Sequence, residues 1–143
     1  DMVGPYGYCA DISRTFVCGN KFNDQQKKLY LMAVDQIKYN AKLIKPGLSF
    51  KEFTDKSWIL PKEYYGNRYS VMAHGIGLCD EWPAIRYPTD GGERSSFFEK
   101  NMTITIESYI GKVGDKEGVK LEQQYLVGQN GLELMSHHPL EDI

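Results

Sequence analysis

The stretches Asn101-Met-Thr-Ile-Thr-Ile-Glu-Ser-Tyr-Ile110 and Gly118-Val-Lys-Leu-Glu-Gln-Gln-Tyr-Leu-Val127 decide the fold. Both alternate with the two-residue period of a β-strand. In the first, Met102, Ile104, Ile106, Ser108 and Ile110 face one way, and Thr103, Thr105, Glu107 and Tyr109 the other. In the second, Val119, Leu121, Gln123, Tyr125 and Val127 oppose Lys120, Glu122, Gln124 and Leu126. Glu107 and Glu122 therefore sit mid-strand, where a carboxylate loses hydration and needs a compensating partner.

Upstream, Ser70 to Ala73 reads as a short strand entering His74-Gly75-Ile76-Gly77, and Pro83, Pro88, Gly91 and Gly92 then mark a long irregular loop of the kind that often carries function. Asn23 and Gln26 have capping-box spacing, and Leu29, Ala33, Ile37, Ala41 and Ile44 share one helical face until Lys45-Pro46-Gly47 ends it. This amphipathic helix is expected to cover the sheet. Ser49 and Glu52 repeat the capping box and open a shorter helix toward Trp58, followed by a Tyr64–Asn67 loop. Val3 to Val17 reads as a β-hairpin with turn residues Gly4, Pro5 and Gly7. No repeat or linker interrupts the chain, so residues 1–143 read as a single α+β domain.

With 41% hydrophobic and 25% charged residues, the chain is of globular type, and no apolar run reaches the roughly 18 to 20 residues of a membrane span. A net charge of −2 with scattered basic residues provides no footprint for nucleic acid. Cys9, Cys18 and Cys79 are odd in number and irregularly spaced, which suggests buried thiols in a reducing, cytoplasmic setting. The chain opens at Asp1 within a strand-like segment, without an initiator Met, and reads as a unit truncated on its N-terminal side.

Asp1, Asp11, Glu107 and Glu122 all lie in strand-like segments, and His74 is flanked by Ala73 and Gly75. Several converging carboxylates with one imidazole suit a divalent ion such as Mn, Fe, Co or Zn, and two ions can share such a set. Taken singly, each acid also reads as a solvated group or the partner of a Lys or Arg. The order of the segments goes further: Asp1 through Asp11-Ile-Ser-Arg-Thr-Phe16, then Met72-Ala-His74-Gly-Ile-Gly77, then Thr105-Ile-Glu107, then Leu121-Glu122. That set resembles the pita-bread metallopeptidase-like family of methionine aminopeptidase, aminopeptidase P, prolidase and creatinase. The resemblance implies a partial pita-bread fold, a curved antiparallel sheet covered by helices, with Asp1, Asp11, His74, Glu107 and Glu122 as metal ligands.

Two departures from the peptidases stand out. Asp1 and Asp11 are ten positions apart rather than eleven, which makes Asp1 the least secure ligand. The second His that the peptidases carry before Glu-x-Pro is replaced in Leu78-Cys79-Asp80-Glu81-Trp82-Pro83 by Asp80. These features, with Gly4-Pro-Tyr-Gly-Tyr-Cys-Ala-Asp11 and Leu134-Met-Ser-His-His-Pro139, are similar to the dimethylsulfoniopropionate lyase branch of the same fold. The branch implies iron as the metal, a small sulfonium carboxylate as substrate, Asp80 as catalytic base and a homodimeric full-length protein. Tyr69 and Trp82, the aromatics nearest His74 and Asp80 in sequence, are candidates to face the sulfonium, with ordinary packing as the alternative. A dinuclear Xaa-Pro peptidase would use the same five ligands, and a ligand-free binding module is disfavoured because all five positions carry ligand-capable residues. Arg14 reads as a partner that orients the ligand carboxylates.

Overall fold

The backbone N–H of Gln26 donates to Asn23 Oδ1 at 2.8 Å, and that of Asn23 donates to Gln26 Oε1 at 3.0 Å. The capping box thus forms, and helix α1 runs Asp24–Leu43 in the computed structural model, which describes residues 1–19 and 21–140. Leu29, Ala33, Ile37 and, just past the helix end, Ile44 are buried along the predicted face. Helix α2, Phe50–Lys56, opens on the second capping box, where Glu52 N donates to Ser49 Oγ.

Strands β3 (Val71–Gly75), β4 (Ala84–Arg86), β5 (Thr103–Gly111), β6 (Gly118–Val127) and β7 (Leu132–Leu134) form one sheet in the order β4-β3-β5-β6-β7. Every pairing is antiparallel. Helix α1 packs across β5 and β6, and Ala73, Ile106, Ile110 and Leu121 join Leu29, Ala33 and Ile37 in the core beneath it. Ser108 on this apolar face is accounted for by the buried Gln36 of α1. Ser108 Oγ donates to Gln36 Oε1 at 2.6 Å, and Gln36 Nε2 donates to Tyr87 Oη at 2.8 Å.

The opposite face carries the acids. Directly opposed residues of an antiparallel pair point the same way. His74 lies opposite Thr105, and Glu107 opposite Glu122, so all four share that face.

The structure differs from the sequence reading at several places. The expected Val3–Val17 hairpin shrinks to β1 (Met2–Val3) and β2 (Cys9–Ala10), joined through a 3-10 turn at Pro5–Gly7. Residues 11–15 instead follow β6, where Glu122 N donates to Ser13 O at 3.1 Å and Thr15 Oγ1 donates to Lys120 O at 2.7 Å. They can do so because β7 pairs only with residues 125–127, which leaves the first half of that β6 edge open. Beside these contacts β5 is buried on both faces rather than one. Tyr64 and Tyr65 end a short helix, α3 (Lys62–Tyr65), with Tyr64 in the core. Strand β4 interrupts the long loop, and β7 forms in the tail. Cys18 and Cys79 are exposed and Cys9 half-buried, so the thiols are not the core hydrophobes expected.

Ile106 has no solvent exposure at the centre of the sheet. Its truncation to Ala is expected to destabilise the full-length protein by about 2 to 5 kcal/mol. Asn23→Ala, which removes only the cap, should cost about 1 kcal/mol. Urea unfolding checks both, and equal losses would contradict the division between core and cap.

Candidate metal centre

His74, the penultimate residue of β3, carries its ring on the acidic face of the sheet. Its Nδ1 lies 2.9 Å from the carbonyl oxygen of Gly75, an acceptor, so Nδ1 carries the hydrogen and donates. In the neutral ring Nε2 then presents a lone pair. Around it stand Glu122 Oε1 at 3.2 Å, Glu107 Oε1 at 3.3 Å and Asp11 Oδ2 at 3.7 Å. A lone pair facing three anionic oxygens is repulsive, and even an imidazolium has one proton there for three acceptors. Glu107 Oε1 is, moreover, buried without a hydrogen-bond partner.

A divalent ion resolves this arrangement. Metal–nitrogen and metal–oxygen bonds of about 2.0–2.2 Å place neighbouring donors about 3.0 to 3.5 Å apart, close to the spacing around Nε2. The donor set of one imidazole and several carboxylates suits Mn, Fe, Co or Zn. The residues therefore fit a divalent metal.

The electrostatics follow the geometry. Burial pushes the Asp11 carboxyl above the usual carboxylate range, and the nearby charge of Glu122 adds to it, while that of His74 opposes. Glu122 is also disfavoured by burial, but hydrogen bonding with His74 and the charge of Lys120 outweigh it and hold Glu122 low. Burial works against charging His74, yet its bonds with Glu122 and Gly75 and the charge of Asp11 leave its proton affinity raised. Lys120, with its Nζ against Glu107 Oε2, is pushed below the ordinary lysine range by desolvation, with Glu122 and Asp11 opposing.

Of the residues singled out in the sequence, Asp11, His74, Glu107 and Glu122 are brought together and are each nearly fully buried. Asp1 is exposed, but its carboxylate lies in a group with those of Asp11 and Asp80, ligand atoms within 4.8 Å of one another. Asp80 sits on the loop after β3, which folds back so closely that a Cβ on Gly75 would lie 2.2 Å from the Trp82 carbonyl oxygen. Only glycine fits there. Tyr69 lies beside the acids, its ring centroid 4.3 Å from Lys120 Nζ. Trp82 lies in the same loop, exposed, and lines an adjoining apolar cavity of about 160 Å³ with Cys79, Phe98 and Met102.

Two residues were missed. Glu81 brings a carboxylate within 4.8 Å of the Asp11 and His74 ligand atoms, although its loop position carries no periodic signal. Lys120 was legible only as the residue on the same strand face as Glu122. The guanidinium of Arg14 donates to the carbonyls of Ser13 (2.8 Å), Glu122 (2.6 Å) and Pro139 (2.9 Å), and to His138 O and Gln123 Oε1. Because Ser13 Oγ donates to Glu122 Oε2 at 3.0 Å, Arg14 holds the backbone on both sides of that carboxylate contact.

The sequence profile of metallopeptidase family M24 matches residues 1–129. The chain belongs to metallopeptidase family M24. Its fold is that family's pita-bread architecture in part. It superposes on the Xaa-Pro dipeptidase from Bacillus anthracis with a TM-score of 0.78 at 28% identity, covering 94% of this chain and 37% of that one. The dimethylsulfoniopropionate lyase DddP of Roseobacter denitrificans is 33% identical over 145 residues, covering 99% of this chain and 32% of the relative. The Xaa-Pro dipeptidase of Pyrococcus furiosus is 34% identical over 129 residues, covering 87% and 34%. The chain thus spans about a third of the length of the curated relatives it matches.

Divalent-metal chemistry is common to the family, and the geometry around Nε2 makes Glu107 a sensitive position. In the full-length protein Glu107→Ala should lower bound metal and activity together. Elemental analysis of the purified variant checks this, and unchanged stoichiometry would remove Glu107 from the site.

Proposed function

We propose that the full-length protein is a metal-dependent carbon–sulfur lyase that cleaves dimethylsulfoniopropionate to acrylate and dimethyl sulfide. The observation that carries the reading is Asp80. The resemblance sets it against the second His of the peptidases, and its carboxylate stands within reach of the Asp11 side of the acidic cluster. Support also comes from the lyase relatives, which match almost the whole chain, including the tail after residue 129.

In this reading Asp11, His74, Glu107 and Glu122 hold the metal, with Asp1 as a fifth ligand. The metal is iron, as one or two ions, with Mn, Co and Zn as the alternatives. A bound divalent ion supplies Lewis acidity that stabilises charge on a substrate carboxylate. Asp80 takes the α-proton, the C–H electron pair becomes the carbon–carbon double bond, and the C–S bond breaks toward sulfur. Dimethyl sulfide leaves neutral, so no general acid is required. The sulfonium is attracted to aromatic faces at the edge of the site. Lys120 takes one face of Tyr69, so the sulfonium would use the other face and the exposed ring of Trp82. The full-length protein would act as a cytoplasmic homodimer on a small molecule, without nucleic acid or membrane. Among the described residues no helix is long and apolar enough to cross a bilayer.

A second reading, an Xaa-Pro peptidase, is favoured by the 34% identity with the Pyrococcus furiosus enzyme and needs the same ligands. Asp80→Asn separates the two. It keeps size and polarity but removes the basic lone pair, so metal content should persist while dimethyl sulfide release falls by a factor of about 10² to 10⁴. Headspace analysis of metal-loaded, full-length wild type and variant is the measurement. Wild-type rates in Asp80→Asn would remove the base assignment, and proline release from dipeptides without dimethyl sulfide would replace the lyase by the peptidase.

A further inference from the structure

Lys120 lies two residues before Glu122 on β6, so the two side chains leave the same face of the sheet. Thr15 fixes its backbone from both sides: Lys120 N donates to Thr15 Oγ1 at 3.0 Å, and Thr15 Oγ1 donates to Lys120 O at 2.7 Å. The ammonium donates to Glu107 Oε2, lies 3.7 Å from Glu122 Oε2, and stands 4.3 Å from the centre of the Tyr69 ring. Beyond that ring, Tyr69 Oη donates a long hydrogen bond, 3.5 Å, to Glu81 Oε1. Glu81 directly follows Asp80. A continuous path therefore runs from Glu107 on the sheet through Lys120 and Tyr69 to the Leu78–Trp82 loop.

That loop is anchored at its ends, where Cys9 N donates to Gly77 O at 2.7 Å and Gly75 N donates to Pro83 O at 3.0 Å. Among the described residues, the Tyr69–Glu81 bond is the one hydrogen bond that ties its Leu78–Trp82 apex to the rest of the chain. That tether holds the apex only as firmly as Tyr69 is itself held. The Tyr69 ring is half-exposed, and the Lys120 ammonium stands over one of its faces. Lys120 in turn has little freedom, because its head is drawn to two buried carboxylates and its backbone is pinned by Thr15.

We propose that Lys120 is a positioning residue that, through Tyr69 and Glu81, sets the loop carrying Asp80 over the acidic cluster. The arrangement of Lys120, Tyr69 and Glu81 is independent of the reaction performed, and only the consequence for turnover rests on the reading of Asp80 as the base. Orientation of a base is worth much in such a step, since a misplacement of about 1 Å can cost on the order of 10² in rate.

The test is hydrogen–deuterium exchange on the metal-loaded, full-length protein, followed by mass spectrometry of the peptide spanning residues 76–83. Lys120→Met should raise exchange there about tenfold while exchange in β5 and the metal stoichiometry stay at wild-type values. Lys120→Arg, which keeps a cation over the ring, should restore slow exchange. Tyr69→Phe keeps the ring and loses only the hydroxyl, so it should loosen the same peptide even if Lys120→Met fails to fold. In kinetics, Lys120→Met should lower kcat for dimethylsulfoniopropionate about 10- to 100-fold and enlarge the isotope effect from α-deuterated substrate, because proton transfer becomes slower. Unchanged exchange of residues 76–83 in both Lys120→Met and Tyr69→Phe would overturn the proposal. Absence of dimethyl sulfide from the wild type would overturn the lyase reading alone, and the exchange data would still decide the role of Lys120.

Discussion

One imidazole nitrogen hemmed in by three carboxylate oxygens is the constraint on which the rest of this structure turns. Nε2 of His74 faces Asp11, Glu107 and Glu122 within 3.2 to 3.7 Å, all on a buried surface. Desolvated carboxylates gathered around one nitrogen, with ligand atoms of His74, Glu107 and Glu122 within 4.8 Å of one another, repel in a medium of low dielectric constant unless a cation is shared among them. The carbonyl of Gly75 removes the other escape, since it fixes the tautomer that turns the lone pair toward the acids.

The scaffold explains how such a cluster stays assembled. Glu107 and Glu122 are opposed in the longest ladder of the sheet, and helix α1 closes the far face over Ile106 and Leu121. A one-residue slip of that ladder would send the slipped strand's acid into the hydrophobic layer and part it from the other, so register and site are specified by the same apolar pattern. Asp11 arrives from a different segment, which Ser13, Arg14 and Thr15 lash to β6 through backbone oxygens. Lys120 adds charge balance at the open side and links the cluster to Tyr69. Rigid strands thus carry three of the four candidate donors, and one clamped loop carries the fourth.

Much of this was legible in the residues. Periodicity placed β6 at its observed bounds, capping boxes placed the starts of α1 and α2, and acids in apolar strands pointed to Glu107 and Glu122. Asp11 and His74 were found because their neighbours are distinctive, in Asp-Ile-Ser-Arg-Thr and His-Gly-Ile-Gly. The hairpin was overextended because Phe16 and Val17 have high strand propensity, whereas the partner they would need, the open edge of β6, is more than a hundred residues away. Strand β4 and the α3 turn are too short to show a period. Glu81 and Lys120 escaped for a related reason, since their roles arise from a loop folding back over the sheet.

The central claim is that His74 Nε2 and the three carboxylates around it hold a divalent metal. The direct measurement is a crystal structure of the metal-loaded, full-length protein, with anomalous scattering to locate the ion. The account predicts an anomalous peak about 2.0 to 2.2 Å from His74 Nε2 and at similar distances from oxygens of Glu107 and Glu122. A fully loaded, active protein whose anomalous peak lies away from His74, with Nε2 hydrogen-bonded to a carboxylate instead, would contradict it.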